Sequence, residues 1–172
     1  MAKTKTAAND LDFAAGDNVV YPAHGVGTIE GIETLSISGA EVTLYTISFI
    51  KDRMRLKLPV AKIKNSGLRK LSSKDQIDDA LKTMRGRARI RRTMWSRRAQ
   101  EYETKINSGD PVLVAEVLRD LRRNVEGTEQ SYSERQIYQS ALERLASELA
   151  AIDNIEEDKA AKKLEDVLRE AA

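Results

Sequence analysis

The stretch VTLYTISFIKDRMRLKLP, residues Val42 to Pro59, decides how the first half of this chain is read. Tyr45, Ile47 and Phe49 alternate with Thr46 and Ser48, the period of a strand with one face in a core. Lys51-Asp52 offers a tight connection, and the alternation resumes from Arg53 to Leu58. Met54, Leu56 and Leu58 fall on one side, and Arg53, Arg55 and Lys57 on the other. Pro59 has no N–H to give to a ladder, so it is expected to end an edge strand. Charged side chains on such an edge guard it against other sheets, or offer bases to a partner strand that pairs there; the pattern alone leaves both open.

Upstream, Val19-Val20-Tyr21 is a short apolar run between Gly16-Asp17 and Pro22. Gly25 and Gly27 flank Val26 in a strand-like run that continues to Thr34, where glycines mark bulges or bends. Ser38-Gly39 signals a turn. About five short strands between Phe13 and Ile63 predict a small Tudor- or SH3-like β-barrel. Downstream of Ser72 the period becomes helical. Ser72-Ser73 caps a helix holding Ile77, Ala80, Leu81 and Met84, and Asn107-Ser108-Gly109 ends a long one. Asp110-Pro111 starts another, with Val114, Val117, Leu118 and Leu121 on its apolar face. Glu126-Gly127-Thr128 breaks it, Ser131 or Ser133 starts the next, and a last segment runs from about Glu156 to Glu170. The expected class is α+β: a disordered tail over 1–10, the barrel over 11–66, and an all-α domain of four to five helices over 67–172, joined near Ser66-Gly67.

The 172 residues carry a net charge of only +2, but its distribution is uneven. Between Lys82 and Arg98 stand eight bases, no acid and the only tryptophan, Trp95. Seven of the eight are arginines: Arg85, Arg87, Arg89, Arg91, Arg92, Arg97 and Arg98. From Glu143 to the end, nine acids face five bases. Uncompensated repulsion in the middle is easiest to explain by a polyanion that neutralises it, and arginine suits phosphate and flat rings. A solvated helix face is the plain alternative. For Trp95 two readings stand. In one helix through the region, Ala88, Trp95, Ala99, Tyr102 and Ile106 share a stripe, and spacing favours a core tryptophan. In a helix starting near Thr93 as N-cap, Trp95 lies in the first turn and points outward as a wedge for a base step.

Catalysis finds no support. His24 is the only histidine and there is no cysteine, which excludes disulfides, thiolate metal sites, a cysteine nucleophile and a two-histidine metal site. No phosphate-binding glycine loop is present. No apolar run spans a bilayer and the first ten residues lack the core of a secretory signal, so a cytoplasmic protein with no cofactor, small-molecule substrate or membrane partner is expected.

The run from Gly16 to Gly27, with Asp17, Val19, Val20, Tyr21, Pro22, His24, Gly25 and Val26, resembles the opening of the bacterial CarD/CdnL family. So do Gly31-Ile32-Glu33, the strand Met54-Arg55-Leu56-x-Leu58-Pro59, the motif Trp95-Ser96-Arg97-Arg98, and the helix Ala115 to Leu121. The barrel motif is shared with the transcription-repair coupling factor and the helical motifs are not. The resemblance covers about residues 12 to 170. It implies a non-enzymatic transcription regulator whose barrel docks on the RNA polymerase β subunit by strand pairing. Its helical domain then reaches promoter DNA at the upstream edge of the melted bubble, and a tryptophan enters the minor groove to hold the open complex. Carried over by residue, Arg55, Lys57 and Pro59 fall on the docking strand, which Arg53 joins from the charge alternation, and Trp95, Arg97 and Arg98 fall on the DNA motif. Arg89, Arg91 and Arg92 join them from the charge run itself, which is richer in arginine than the family pattern. The expected partners are RNA polymerase and promoter DNA, bound by a monomer that meets the nucleoid through polymerase. The alternative is a free-standing nucleic-acid-binding protein with no polymerase tether.

Overall fold

The computed structural model describes residues 13–90, 92–122 and 131–171. The expected tail, Arg91 and the break at Glu126-Gly127-Thr128 lie outside them. The chain separates into two compact units, Met1–Lys70 and Leu71–Ala172.

The first unit holds β1 (Asn18–Tyr21), β2 (Gly25–Ile37), β3 (Ala40–Phe49) and β4 (Met54–Pro59), then a 3-10 turn (Val60–Lys62), α1 (Ile63–Ser66) and β5 (Arg69–Lys70). They form one antiparallel sheet in the order β4-β3-β2-β1-β5. Ser38 and Gly39, both at positive φ (50° and 80°), make the two-residue turn whose twist suits a β-hairpin. Between Ile29 and Gly31 the register shifts and Glu30 becomes an extra residue, a bulge that bends β2. Gly27 has a packing reason: a Cβ there would stand 2.7 Å from Phe49 Cε1 and 2.9 Å from Ile47 Cγ2. The face formed by Val19, Ile29, Tyr45, Ile47, Phe49 and Leu58 is buried, with Phe13 and Leu68 over it. The Phe13 ring meets Tyr45 edge-on at 6.0 Å, and the Tyr45 hydroxyl donates to the Phe13 carbonyl at 3.4 Å.

The expected barrel does not close. β4 and β5 stand at opposite edges, and no ladder joins them among the described residues. β5 is two residues long and is spent on Val19 and Val20 of β1, so it has no length left for a seam with β4. The same pairing carries the sheet unit to Lys70, beyond the join read at Ser66-Gly67.

The second unit holds α2 (Lys74–Arg85), α3 (Trp95–Asn107), α4 (Pro111–Leu121), α5 (Tyr132–Asp153) and α6 (Glu157–Ala171). Its helix starts follow local chemistry. Ser73 and Gln76 form a reciprocal capping box, Asp110 accepts from the Val112 N–H ahead of Pro111, and Ser131, not Ser133, caps α5. Met84, Val117, Leu118, Leu145 and Leu164 are among the side chains of one core that all five helices share. Glu148, buried in α5, accepts from both the N–H and the hydroxyl of Ser72, at 2.9 and 2.6 Å, and so ties the entry of α2 to the C-terminal part of α5. Among the described residues no helix is long and apolar enough to cross a membrane.

Candidate nucleic-acid interface

α2 stops at Arg85 with Gly86 as its C-cap, and residues 87–90 and 92–94 have no regular structure. One helix through the whole basic region is therefore ruled out. α3 begins at Trp95, and its N-cap is Met94 (φ −57°, ψ 141°), one residue later than the Thr93 expected. Methionine offers no side-chain acceptor and none is made. Forgoing a hydroxyl or carboxylate cap costs about 1 kcal/mol and leaves the first N–H groups of α3 uncapped.

Trp95 combines the two readings. Its stripe with Ala99, Tyr102 and Ile106 does pack on the core of the unit, as the spacing predicts. The ring is nevertheless only half-buried. Its Nε1 donates to Ser133 Oγ at 3.2 Å, reaching from the first turn of α3 to the first turn of α5. The Arg98 guanidinium lies over the indole at 5.4 Å and over the Tyr102 ring at 5.7 Å, while its Nη2 donates to the Tyr102 hydroxyl at 3.2 Å. The indole is thus a plate held from behind by the core, along its edge by Ser133 and over a face by Arg98.

Around it the arginines gather in two adjoining grooves. One, of about 490 Å³, is lined by Arg89, Arg97, Arg98, Tyr102, Lys105 and Asp120 among others. The other, of about 550 Å³, is lined by Arg92, Thr93, Met94, Ser96, Arg97 and Gln100. Arg97 borders both, so Trp95, Arg89, Arg92, Arg97 and Arg98 come together, while Arg91 lies outside the described residues. Among the described residues no carboxylate pairs with Arg87, Arg92 or Arg97. Such free guanidinium groups can take phosphates without first giving up a partner.

Asp120 fixes the connector. Its Oδ1 accepts from the backbone N–H of Arg89 at 2.9 Å and from Arg119 Nε at 2.8 Å, and both Asp120 and Arg119 are buried. Asp120→Ala is expected to lower the unfolding free energy by about 3 kcal/mol, because Arg119 is left buried without its counter-charge. Asp120→Asn, which keeps an acceptor oxygen, is expected to recover part of it. Urea unfolding measures both, and a loss below about 1 kcal/mol for the alanine variant would contradict this role.

On the sheet unit, Arg53 is not in a strand. It occupies the left-handed region (φ 50°) in the turn Ile50–Arg53, where its N–H donates to the Ile50 carbonyl. Arg55 and Lys57 do stand on β4, an edge strand whose outer side pairs with nothing among the described residues. Pro59 is its last residue, opposite Leu44. Arg55 reaches Glu30 at 3.3 Å and Lys57 reaches Glu33 at 3.5 Å, both acids on β2 two strands away. The spacing in sequence gives no hint of these pairs, since the bulge at Glu30 sets them. His24 is in a turn, stacked on Tyr21 with its Nδ1 3.4 Å from Asp52. Residues that sequence reasoning missed are Met94, Ser133 and Asp120. Only Met94 left a signal, as an apolar side chain beside the tryptophan in an arginine run.

Comparison with known proteins matches both units. Residues 79–165 match the family model described as "CarD, C-terminal domain", and residues 13–72 the one described as "CarD-like/TRCF RID domain". A protein of Bacillus subtilis (strain 168), described as "Putative transcription factor YdeB", is 32% identical over 145 residues, covering 84% of this chain and 95% of the relative.

Proposed function

Because this chain belongs to the CarD family, we propose that it is a non-enzymatic transcription regulator that docks on RNA polymerase and holds promoter DNA open. The match of the sheet unit to the RID family and the likeness to the Bacillus relative support polymerase interaction and transcription regulation. The finer reading is a tethered wedge. The edge strand β4, with Arg55, Lys57 and Pro59, pairs with a strand of the polymerase β subunit, and Arg53 borders it. Docking raises the local concentration of the basic connector at the DNA, so weak DNA binding is enough. Arg89, Arg91, Arg92, Arg97 and Arg98 take phosphates, and Trp95 enters the minor groove at the upstream edge of the bubble.

The observation that carries this reading is the partly exposed indole at an uncapped helix start, with Arg89, Arg92, Arg97 and Arg98 lining the grooves beside it. Neutralising about four or five phosphates gives a slope near −4 for log K against log salt. A preference of about 1–2 kcal/mol for melted over closed promoter shifts that equilibrium roughly 5- to 30-fold, enough to regulate without acting as a switch. It acts as a monomer in the cytoplasm, with polymerase and promoter DNA as partners. The test is the lifetime of open complexes after challenge with competitor DNA, with and without the protein: it should lengthen within that range. Unchanged lifetimes, together with tight binding to bare DNA at physiological salt, would favour a free-standing nucleic-acid-binding protein instead.

A further inference from the structure

Met94 is the most exposed large apolar side chain described in the helical unit, 77% accessible against 72% for Tyr132 and 58% for Ile90. It holds the N-cap of α3, where a hydroxyl, amide or carboxylate is strongly preferred, and Thr93 directly before it would supply one. A position that breaks the local rule and exposes apolar surface is where function is expected to override folding preference. Its surroundings say what covers it. The groove beside it is lined by Arg92, Thr93, Ser96, Arg97 and Gln100, and among the described residues neither arginine is paired with a carboxylate. An apolar tip in a cationic frame matches a ligand with flat apolar faces between negative rails, which is nucleic acid, and fits an ordinary protein surface poorly.

Trp95 by itself leaves part of that task undone. Its ring is fixed by the core, by Ser133 and by Arg98, so it presents a set surface with little freedom to follow an irregular base step. A thioether on three rotatable bonds supplies the missing adaptability. Resting on the DNA contact argued under Proposed function, we propose that Met94 is a second DNA-contacting residue, seated at a base step beside Trp95 while Arg92 and Arg97 hold the flanking phosphates.

The full-length protein is titrated against two fluorescently labelled promoter duplexes, one fully paired and one with a pre-melted A·T-rich bubble. Met94→Ala is expected to weaken binding to the bubble about fivefold and to lower the bubble-to-duplex preference. Met94→Leu should retain both within about twofold. Trp95 is the only tryptophan, so its emission reports directly on whether the plate has moved, and both that emission and the melting curve should stay as in the wild type. Arg92→Ala, a phosphate contact, should weaken both duplexes alike. If Met94→Ala binds both duplexes normally while Trp95→Ala loses the preference, the proposal falls and the tryptophan reading survives. If Trp95→Ala also keeps the preference, both fall. An equal loss on both duplexes, or a shifted Trp95 emission, makes Met94 a structural cap and overturns the proposal. A loss of polymerase binding with DNA binding intact makes it a protein contact and overturns it as well.

Discussion

Trp95→Ala is expected to return open-complex lifetimes to the level seen without the protein, a loss of roughly 5- to 30-fold, while the variant still co-purifies with RNA polymerase. The indole is half-buried against Ala99 and Tyr102, so alanine also removes packing and the bond to Ser133, a cost of about 2–3 kcal/mol to the helical unit. Trp95→Phe separates the two effects. It keeps most of the apolar volume but lacks the N–H and the width of the indole. It should fold nearly as well as the wild type yet give a shorter lifetime. The measurement is competitor-challenged lifetime alongside circular dichroism and thermal melting. A folded alanine variant with wild-type lifetimes would remove the wedge from the mechanism.

The second large effect belongs to the sheet edge. Arg55→Glu combined with Lys57→Glu is expected to abolish co-purification with polymerase, at least about a hundredfold in affinity, because like charges are set across a paired strand. The fold should survive: the pairs with Glu30 and Glu33 are exposed and contribute at most about 1 kcal/mol each. Repulsion from those same two acids is removed by adding Glu30→Lys and Glu33→Lys, which restores the pairs with their signs exchanged. If the restored sheet melts like the wild type and still does not bind polymerase, the loss lies in docking. Full retention of binding by the double glutamate variant would take the docking role away from β4.

The architecture was legible wherever its signal is local. Tyr45, Ile47 and Phe49 bury the face that their alternation predicts, and Ser73, Asp110 and Ser131 start helices as caps should. Closure of the sheet was not legible, because it depends on whether the first and last strands meet, and a two-residue β5 has no period to read. The site divides in the same way. The arginines and the tryptophan announce themselves by composition. What sets their geometry comes from far along the chain: Ser133 for the indole, 38 residues away, and Asp120 for the connector, 31 residues from Arg89. Thr93 looked like the cap because local preference ranks threonine above methionine, yet α3 takes Met94 as its N-cap.

The Arg98 guanidinium that roofs the indole is itself a phosphate ligand by chemistry, and it cannot serve both neighbours at once. In the proposed mechanism it swings to a strand and bares the flat face beneath, so backbone capture comes first and stacking follows. Encounter speed then belongs to the cations and responds to ionic strength, whereas residence time belongs to the ring and responds to whether a step has opened. A protein working by the proposed mechanism would sample closed DNA quickly and leave it quickly, and linger only where the helix has already begun to part.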